Sequence, residues 1–281
     1  MQARDQYIGV DFGKYGAISA GRSYDALYAV IGVTDIYEDL GANGLFDDSD
    51  RRAGNLKYVW EGYGVYAAAS FQSAKDDIAV EGANEDGVMN VNHGYSAVLG
   101  YTTPSVLFGP ISVKAGYTYL AGQNDANYTE TYGIDNMKEW AASVTWGNLD
   151  TGLYLAAVYD QRKFDYIDGA DFSSHSLKGI EALVGYGFDN GLSVIASWQY
   201  QRINAHDAII ADGSYVEAEQ IIRKVPVLIN YNFNANFNVW LEASFDMGSD
   251  DQINVKNISV EGLESTDEDH TLFSVGARYT F

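Results

Sequence analysis

The chain has 281 residues with a formal net charge of -22, no cysteine, 3 prolines, 29 glycines and 22 tyrosines. So acidic a chain excludes a nucleic-acid-binding face, which needs clustered Lys and Arg. The missing cysteines exclude disulfides and thiolate metal sites, and no apolar run reaches the roughly 20 residues of a transmembrane helix.

In chain order, residues 5–12 and 16–22 read as strands joined by a short turn. The stretch from Gly21 to Arg52 then links two strands through about 27 residues, where hairpin loops need roughly two to five. Its apolar residues (Leu27, Tyr28, Val30, Ile31, Ile36, Tyr37, Leu40) alternate with the acids Asp25, Asp35, Glu38 and Asp39. A long connection with its own apolar residues is functional or packed against something.

After Arg52 the period is two, with strands predicted over 52–61, 64–72, 94–103, 110–120, 137–147, 152–162, 176–188, 192–203, 218–233, 237–247 and 270–281. In one of them Leu192, Val194, Ala196, Trp198 and Tyr200 alternate with Ser193, Ile195, Ser197, Gln199 and Gln201. In another Phe237, Val239, Leu241, Ala243 and Phe245 alternate with Asn238, Trp240, Glu242, Ser244 and Asp246. The last puts Phe273, Val275, Ala277, Tyr279 and Phe281 opposite Ser274, Gly276, Arg278 and Thr280. Such alternation gives a sheet one apolar and one polar face. Short turns at 62–64, 148–150, 189–191 and 234–236 alternate with long acidic connections at 73–92, 121–136, 163–175, 204–217 and 248–269. In an up-and-down meander, turns then line one rim and loops the other.

Most of these strands are long enough for a tilted crossing of a bilayer, which takes about 9–11 residues. Aromatics gather near strand ends, as at Tyr63, Tyr101, Phe108, Trp146, Tyr186, Phe188, Tyr231 and Phe233. Apolar-out, polar-in strands with aromatic girdles and asymmetric loops describe an outer-membrane barrel. The expected fold is therefore all-β, a transmembrane antiparallel up-and-down β-barrel, one domain over residues 1–281. A soluble sandwich would bury its apolar faces between sheets and does not call for loops at one rim or so polar a second face.

With those residues in view, the chain resembles the general porins of Gram-negative outer membranes. RDQYIGVDFGKYGAISAGRSY is similar to the family's Arg-initiated strand, short turn and second strand ending in Gly-Arg-x-Tyr. TDIYEDLGANG resembles its constriction loop, which folds back inside the barrel, and GARYTF resembles its closing strand with a C-terminal aromatic. The resemblance implies passive diffusion of ions and small hydrophilic solutes, a homotrimer, contact with outer-membrane lipid and lipopolysaccharide, no cofactor and no enzymatic activity. It also implies sixteen strands with the loop after the fifth, whereas here about thirteen are read and the loop, 23–51, follows the second. Three strands and a signal peptide are thus expected to precede this chain, with Met1-Gln2-Ala3 an internal or artificial start. The alternative is a complete fourteen-stranded monomeric channel with one strand unread.

Carried over position by position, the resemblance makes Asp35 and Asp39 the acids of a pore constriction facing Arg4 and Arg52 on the wall, with Glu38, a departure from the family's loop tip, as a third acid. Opposed carboxylates and guanidiniums across a wet gap set up a transverse field, and rings of acids favour cations. The family often has Pro-Glu-Phe-Gly at the loop tip, where this chain has Glu38-Asp39-Leu40-Gly41, so a cation-leaning waist is expected. Arg22 is expected to hold the loop root through a salt bridge, and Lys57 to sit nearer the turn rim.

Other chemistry is poorly supported. The acidic runs Asp47-Asp48-Ser49-Asp50, Asp246 to Asp251 and Glu264 to Asp269 could bridge to lipopolysaccharide phosphates through divalent cations, but none has EF-hand spacing and solvation is the favoured role. His93, His175, His206 and His270 have no metal-ligand spacing. A sugar-selective porin would want an aromatic ladder along the lumen, for which Trp240 is the one good candidate. A surface adhesin or receptor acting through the acidic loops is the remaining class.

Overall fold

The computed structural model describes residues 5–41, 51–83, 88–123, 133–167, 174–209, 215–255 and 271–281. Fifteen strands are β1 Gln6–Asp11, β2 Ala17–Ser23, β3 Arg52–Gly62, β4 Val65–Gln72, β5 Lys75–Ala79, β6 Val88–Thr102, β7 Ile111–Gly122, β8 Ile134–Gly147, β9 Gly152–Tyr166, β10 Ser174–Gly187, β11 Leu192–Ile209, β12 Tyr215–Asn234, β13 Phe237–Asp246, β14 Asp250–Val255 and β15 Leu272–Tyr279. A one-turn α-helix, α1, spans Tyr28–Ile31, and a 3-10 turn over Gly13–Tyr15 joins β1 to β2.

Thirteen strands form one antiparallel path in chain order, β1-β2-β3-β4-β6-β7-β8-β9-β10-β11-β12-β13-β15; β5 adds to β6 and β14 to β12. All thirteen predicted strands are present. The two short additions lie inside connections expected to be loops. Among the described residues no ladder joins β1 to β15, and no fourteenth strand enters the path.

The sheet is inside-out relative to a soluble protein. Leu99, Val113, Val144, Val184, Leu241 and Val275 are exposed on one face, while Ser70, Ser96, Thr118, Ser143, Gln199 and Glu242 are buried on the other. Period-two patterning puts both sets on every strand, and an apolar exterior is stable only in lipid. Ring pairs form a belt at the turn rim, with Phe108 against Trp146 at 4.2 Å, Tyr186 against Phe188 at 4.7 Å and Tyr231 against Phe233 at 4.8 Å. A second belt toward the loop rim pairs Tyr95 with Tyr119 at 5.4 Å and Trp140 with Tyr159 at 4.9 Å.

The polar face is concave, because a short segment reaches across it. Asp25 is bonded to Arg52 at the start of β3, and Glu38 to Arg278 of β15. Between these anchors Ala26, Leu27, Val30 and Ile31 pack together with Ala68, Val98, Ala141 and Val158 of β4, β6, β8 and β9, so the wall curves around the segment.

Candidate functional site

The segment after β2 lies on the polar, concave face and crosses it from one side to the other. Its root is an ion pair: Arg52 Nη1 meets Asp25 Oδ2 at 2.7 Å, with both side chains almost fully buried. Thr118 Oγ1 donates to the same carboxylate at 3.0 Å, and the Ala26 N–H donates to Ser70 Oγ at 3.0 Å. Ala26, Leu27, Val30 and Ile31 then pack on Ala68, Val98, Ala141 and Val158 of β4, β6, β8 and β9. These inward positions carry small or branched side chains where neighbouring ones are polar, which leaves an apolar seat. Burying Leu27, Val30 and Ile31 is worth about 5–9 kcal/mol, before the conformational entropy of ordering the segment.

Farther on, Val33, Ile36 and Tyr37 pack against Ala156, Leu183, Ile195 and Leu228 of β9 to β12. Tyr154 OH donates to the Val33 carbonyl at 2.9 Å, and Tyr37 OH to Ser197 Oγ at 2.9 Å. Burial raises the Tyr37 phenol well above its ordinary range. Tyr28 donates its hydroxyl to Asp35, and burial with that carboxylate holds its phenol far above the ordinary value.

The tip is fixed by an acid on the far wall. Glu242 of β13, buried on the concave face, accepts the backbone N–H groups of Glu38, Asp39 and Leu40 at 2.5, 2.8 and 2.8 Å. Three successive donors on one carboxylate form an anion-binding nest. The Glu38 carboxylate pairs with Arg278 of β15 and accepts from Asn238 Nδ2 at 3.0 Å. Asp39 is exposed and accepts from Ser274 and, at 3.1 Å, from Trp240 Nε1. Those hydrogen bonds, Ser274 first, hold its carboxyl below the usual carboxylate value, with Arg278 adding to the effect. Trp240 lies opposite Gly276, where a Cβ would come within 2.1 Å of the indole. Glycine on β15 is what lets the ring lie flat under the tip.

The sequence expectations fare unevenly. Asp35, Glu38 and Asp39 all lie on the segment over the concave face, whereas Arg4 lies outside the described residues. Arg52 does not face Asp35 or Asp39. It begins β3 directly across from Ser23, two residues from Asp25, and takes that nearer acid. The loop-root ion pair expected of Arg22 is thus made by Arg52; among the described residues Arg22 has none. Lys57 donates to the Tyr24 carbonyl at 3.0 Å, at the loop root. Trp240 faces inward as expected, but its N–H is held by Asp39 and Arg278 stacks over it at 5.6 Å, so it is not an open sugar platform. The acidic runs 47–50 and 264–269, His270 and the side chain of His206 lie outside what is described. The period-two alternation places Glu242 and Arg278 on polar faces, but no motif or spacing marks either of them as a loop anchor.

The sequence profile of the Gram-negative porins matches residues 1–281. The chain belongs to that family. The outer membrane porin PhoE of Klebsiella pneumoniae is 24% identical over 277 residues, covering 95% of this chain and 73% of the relative. Among solved structures, in-vitro folded OmpT of Vibrio cholerae superposes with a TM-score of 0.67 at 17% identity, covering 98% of this chain and 79% of that one. A trimer form of the same protein gives 0.63 at 14%, covering 98% and 80%. This porin is thus an outer-membrane β-barrel protein of a Gram-negative bacterium, in a family of diffusion channels.

Proposed function

We propose that this porin conducts ions and small hydrophilic solutes through a water-filled lumen whose waist is the segment 24–41, with a lean toward cations. The domain is read as the whole of 1–281, with the connection 23–51 as its constriction loop. The observation that carries this reading is the capture of the loop tip by Glu242, which holds the backbone of residues 38–40 across the concave face. Asp35 and Asp39 supply negative charge there. Glu38 supplies less, because Arg278 neutralises it. Arg52, spent on Asp25, adds no free positive charge. Lys57 and Lys114 bond the Tyr24 and Ala29 carbonyls nearer the root; farther along the segment, the balance supports cation preference, by the rule that rings of acids favour cations.

A homotrimer is part of the proposal, supported by the trimer form of the Vibrio cholerae relative and by the apolar faces that β1 and β15 present to the outside. Lipid and lipopolysaccharide would surround it. Planar-bilayer recording tests the reading: stepwise conductance with reversal potentials toward the cation in a salt gradient is expected. Clear anion preference overturns the assignment of the waist acids, and absence of conductance overturns the pore.

A further inference from the structure

A second segment also enters the lumen. After β4 the chain forms β5, which pairs with β6 through Ile78–Met89 and Ala79–Val88, and residues 80–83 then turn across the wall. Ile78, Val80 and Ala83 are buried with Met89, Val91, Leu120, Ile134, Met137, Phe164 and Leu177. The side of the wall follows from parity. Leu120, Met137, Phe164 and Leu177 stand two to six residues, an even number, from Thr118, Ala141, Val158 and Leu183, which all touch the waist segment or line its seat. Even separations on a strand share a face, so both segments lie on the concave side. The second is displaced along the strands toward the loop rim by about 7–20 Å.

Two wall side chains clamp it. Arg162 Nη1 donates to the Glu81 carbonyl at 2.7 Å while its Nη2 pairs with Glu139 at 2.9 Å. His175 Nε2 lies 2.6 Å from the Gly82 carbonyl, and its Nδ1 2.7 Å from Tyr166 OH. A carbonyl only accepts, so the imidazole carries its proton on Nε2 and accepts a hydrogen bond from the Tyr166 O–H at Nδ1. The Gly82 backbone has φ +79°, and a Cβ there would come within 2.6 Å of Leu177 Cδ2. A wet channel mouth has no reason to keep a buried apolar cluster unless something stays seated on it.

We propose that residues 78–83 form a second, outer constriction in series with the waist, clamped by Arg162 and His175, that selects permeating solutes by size. This rests on the pore reading above. The outer step acts by size: Val80, Ala83 and the cluster beneath them are apolar, and Glu81, the one charged side chain within 78–83, is retained in every variant below. Removing the clamp widens the mouth and leaves the charge selectivity of the waist unchanged.

The test uses the cysteine-free chain. Val80→Cys and the exposed Lys75→Cys are each labelled in membranes with an impermeant maleimide. Val80→Cys is expected to react on the order of tenfold or more slowly, as a residue that must wait for local opening. Adding Gly82→Val, or His175→Ala should that variant not fold, is expected to close the gap. The same two variants without cysteine are expected to conduct more in planar bilayers and to gain most in uptake of the largest neutral sugars, with unchanged reversal potential. Equal labelling of Val80→Cys and Lys75→Cys in the otherwise native chain overturns the seating. Protected thiol with unaltered conductance and size dependence in both variants overturns the constriction. A native chain that never conducts, yet protects Val80→Cys, refutes the pore reading and leaves the seating intact, so the two failures are distinguishable.

Discussion

Glu242→Gln is the most informative single change, because it alters one atom of the group that fixes the loop tip. In the native chain two carboxylate oxygens accept three backbone N–H groups. In the amide one oxygen becomes an NH2 that cannot accept, so at least one N–H is orphaned and the remaining bonds lose their charge assistance. A hydrogen bond to a charged group contributes about 1.5–3 kcal/mol and a neutral one about 1. Losing one and weakening two therefore costs about 3–6 kcal/mol at the tip, or roughly 10²–10⁴ in the ratio of seated to unseated tip. The packing of Ile36 and Tyr37 on Leu183, Ile195 and Leu228 is untouched, so the tip loosens while the rest of the loop stays. The assay is single-channel recording at fixed voltage. Greater open-channel noise with new sub-conductance steps is expected, and Glu242→Asp should lie between the two. A folded Glu242→Gln channel with native noise and native conductance would refute the nest as the anchor.

Further changes probe the rest of the site. Arg52→Ala leaves Asp25 buried without its cation and is expected to lower stability by about 3–5 kcal/mol, read as a drop in unfolding temperature in detergent; Arg52→Met with Asp25→Leu should recover part of it. Arg278→Gln releases Glu38 from its counter-ion and should move the reversal potential further toward the cation, with no shift counting against the assigned balance. The Asp39 carboxyl titrates below its ordinary value, so its share of cation preference should persist as pH falls through the usual carboxylate range and vanish only below it. Ser274→Ala, which removes the leading cause, should raise that midpoint in reversal potentials measured against pH.

The wall was legible because a period of two repeats over hundreds of residues and each strand confirms its neighbours. The two strands missed, β5 and β14, are short. β5 opens on Lys75-Asp76-Asp77, with Asp77 in the left-handed region at φ 51°, which hides any alternation. For the waist, alternation of apolar and acidic residues pointed to a packed connection but could not choose partners. Parity says that Arg52, Glu242 and Arg278 face inward. Which acid or N–H each one meets depends on how far the segment travels before it turns. Arg52 is taken at the root, by the first acid it can reach. Glu242 is met by backbone donors, which no side-chain pattern announces. His175 looked solitary in sequence because its partners, Tyr166 and the Gly82 carbonyl, are a neighbouring strand and a main-chain atom.

The reach of the waist segment also orders the assembly of the molecule. Its root bonds to Arg52 only 27 positions away, but its tip bonds to Glu242 and Arg278 across separations of 204 and 240 positions. Contacts so distant in sequence form late, since the loop-closure entropy must be met before they contribute. The chain must therefore lay down β13 and β15 before residues 38–40 have anything to hold. Until then the root and middle of the segment can seat on β4 to β12 while its tip stays unheld, and seating of the tip is a final step that reports completion of the last strands.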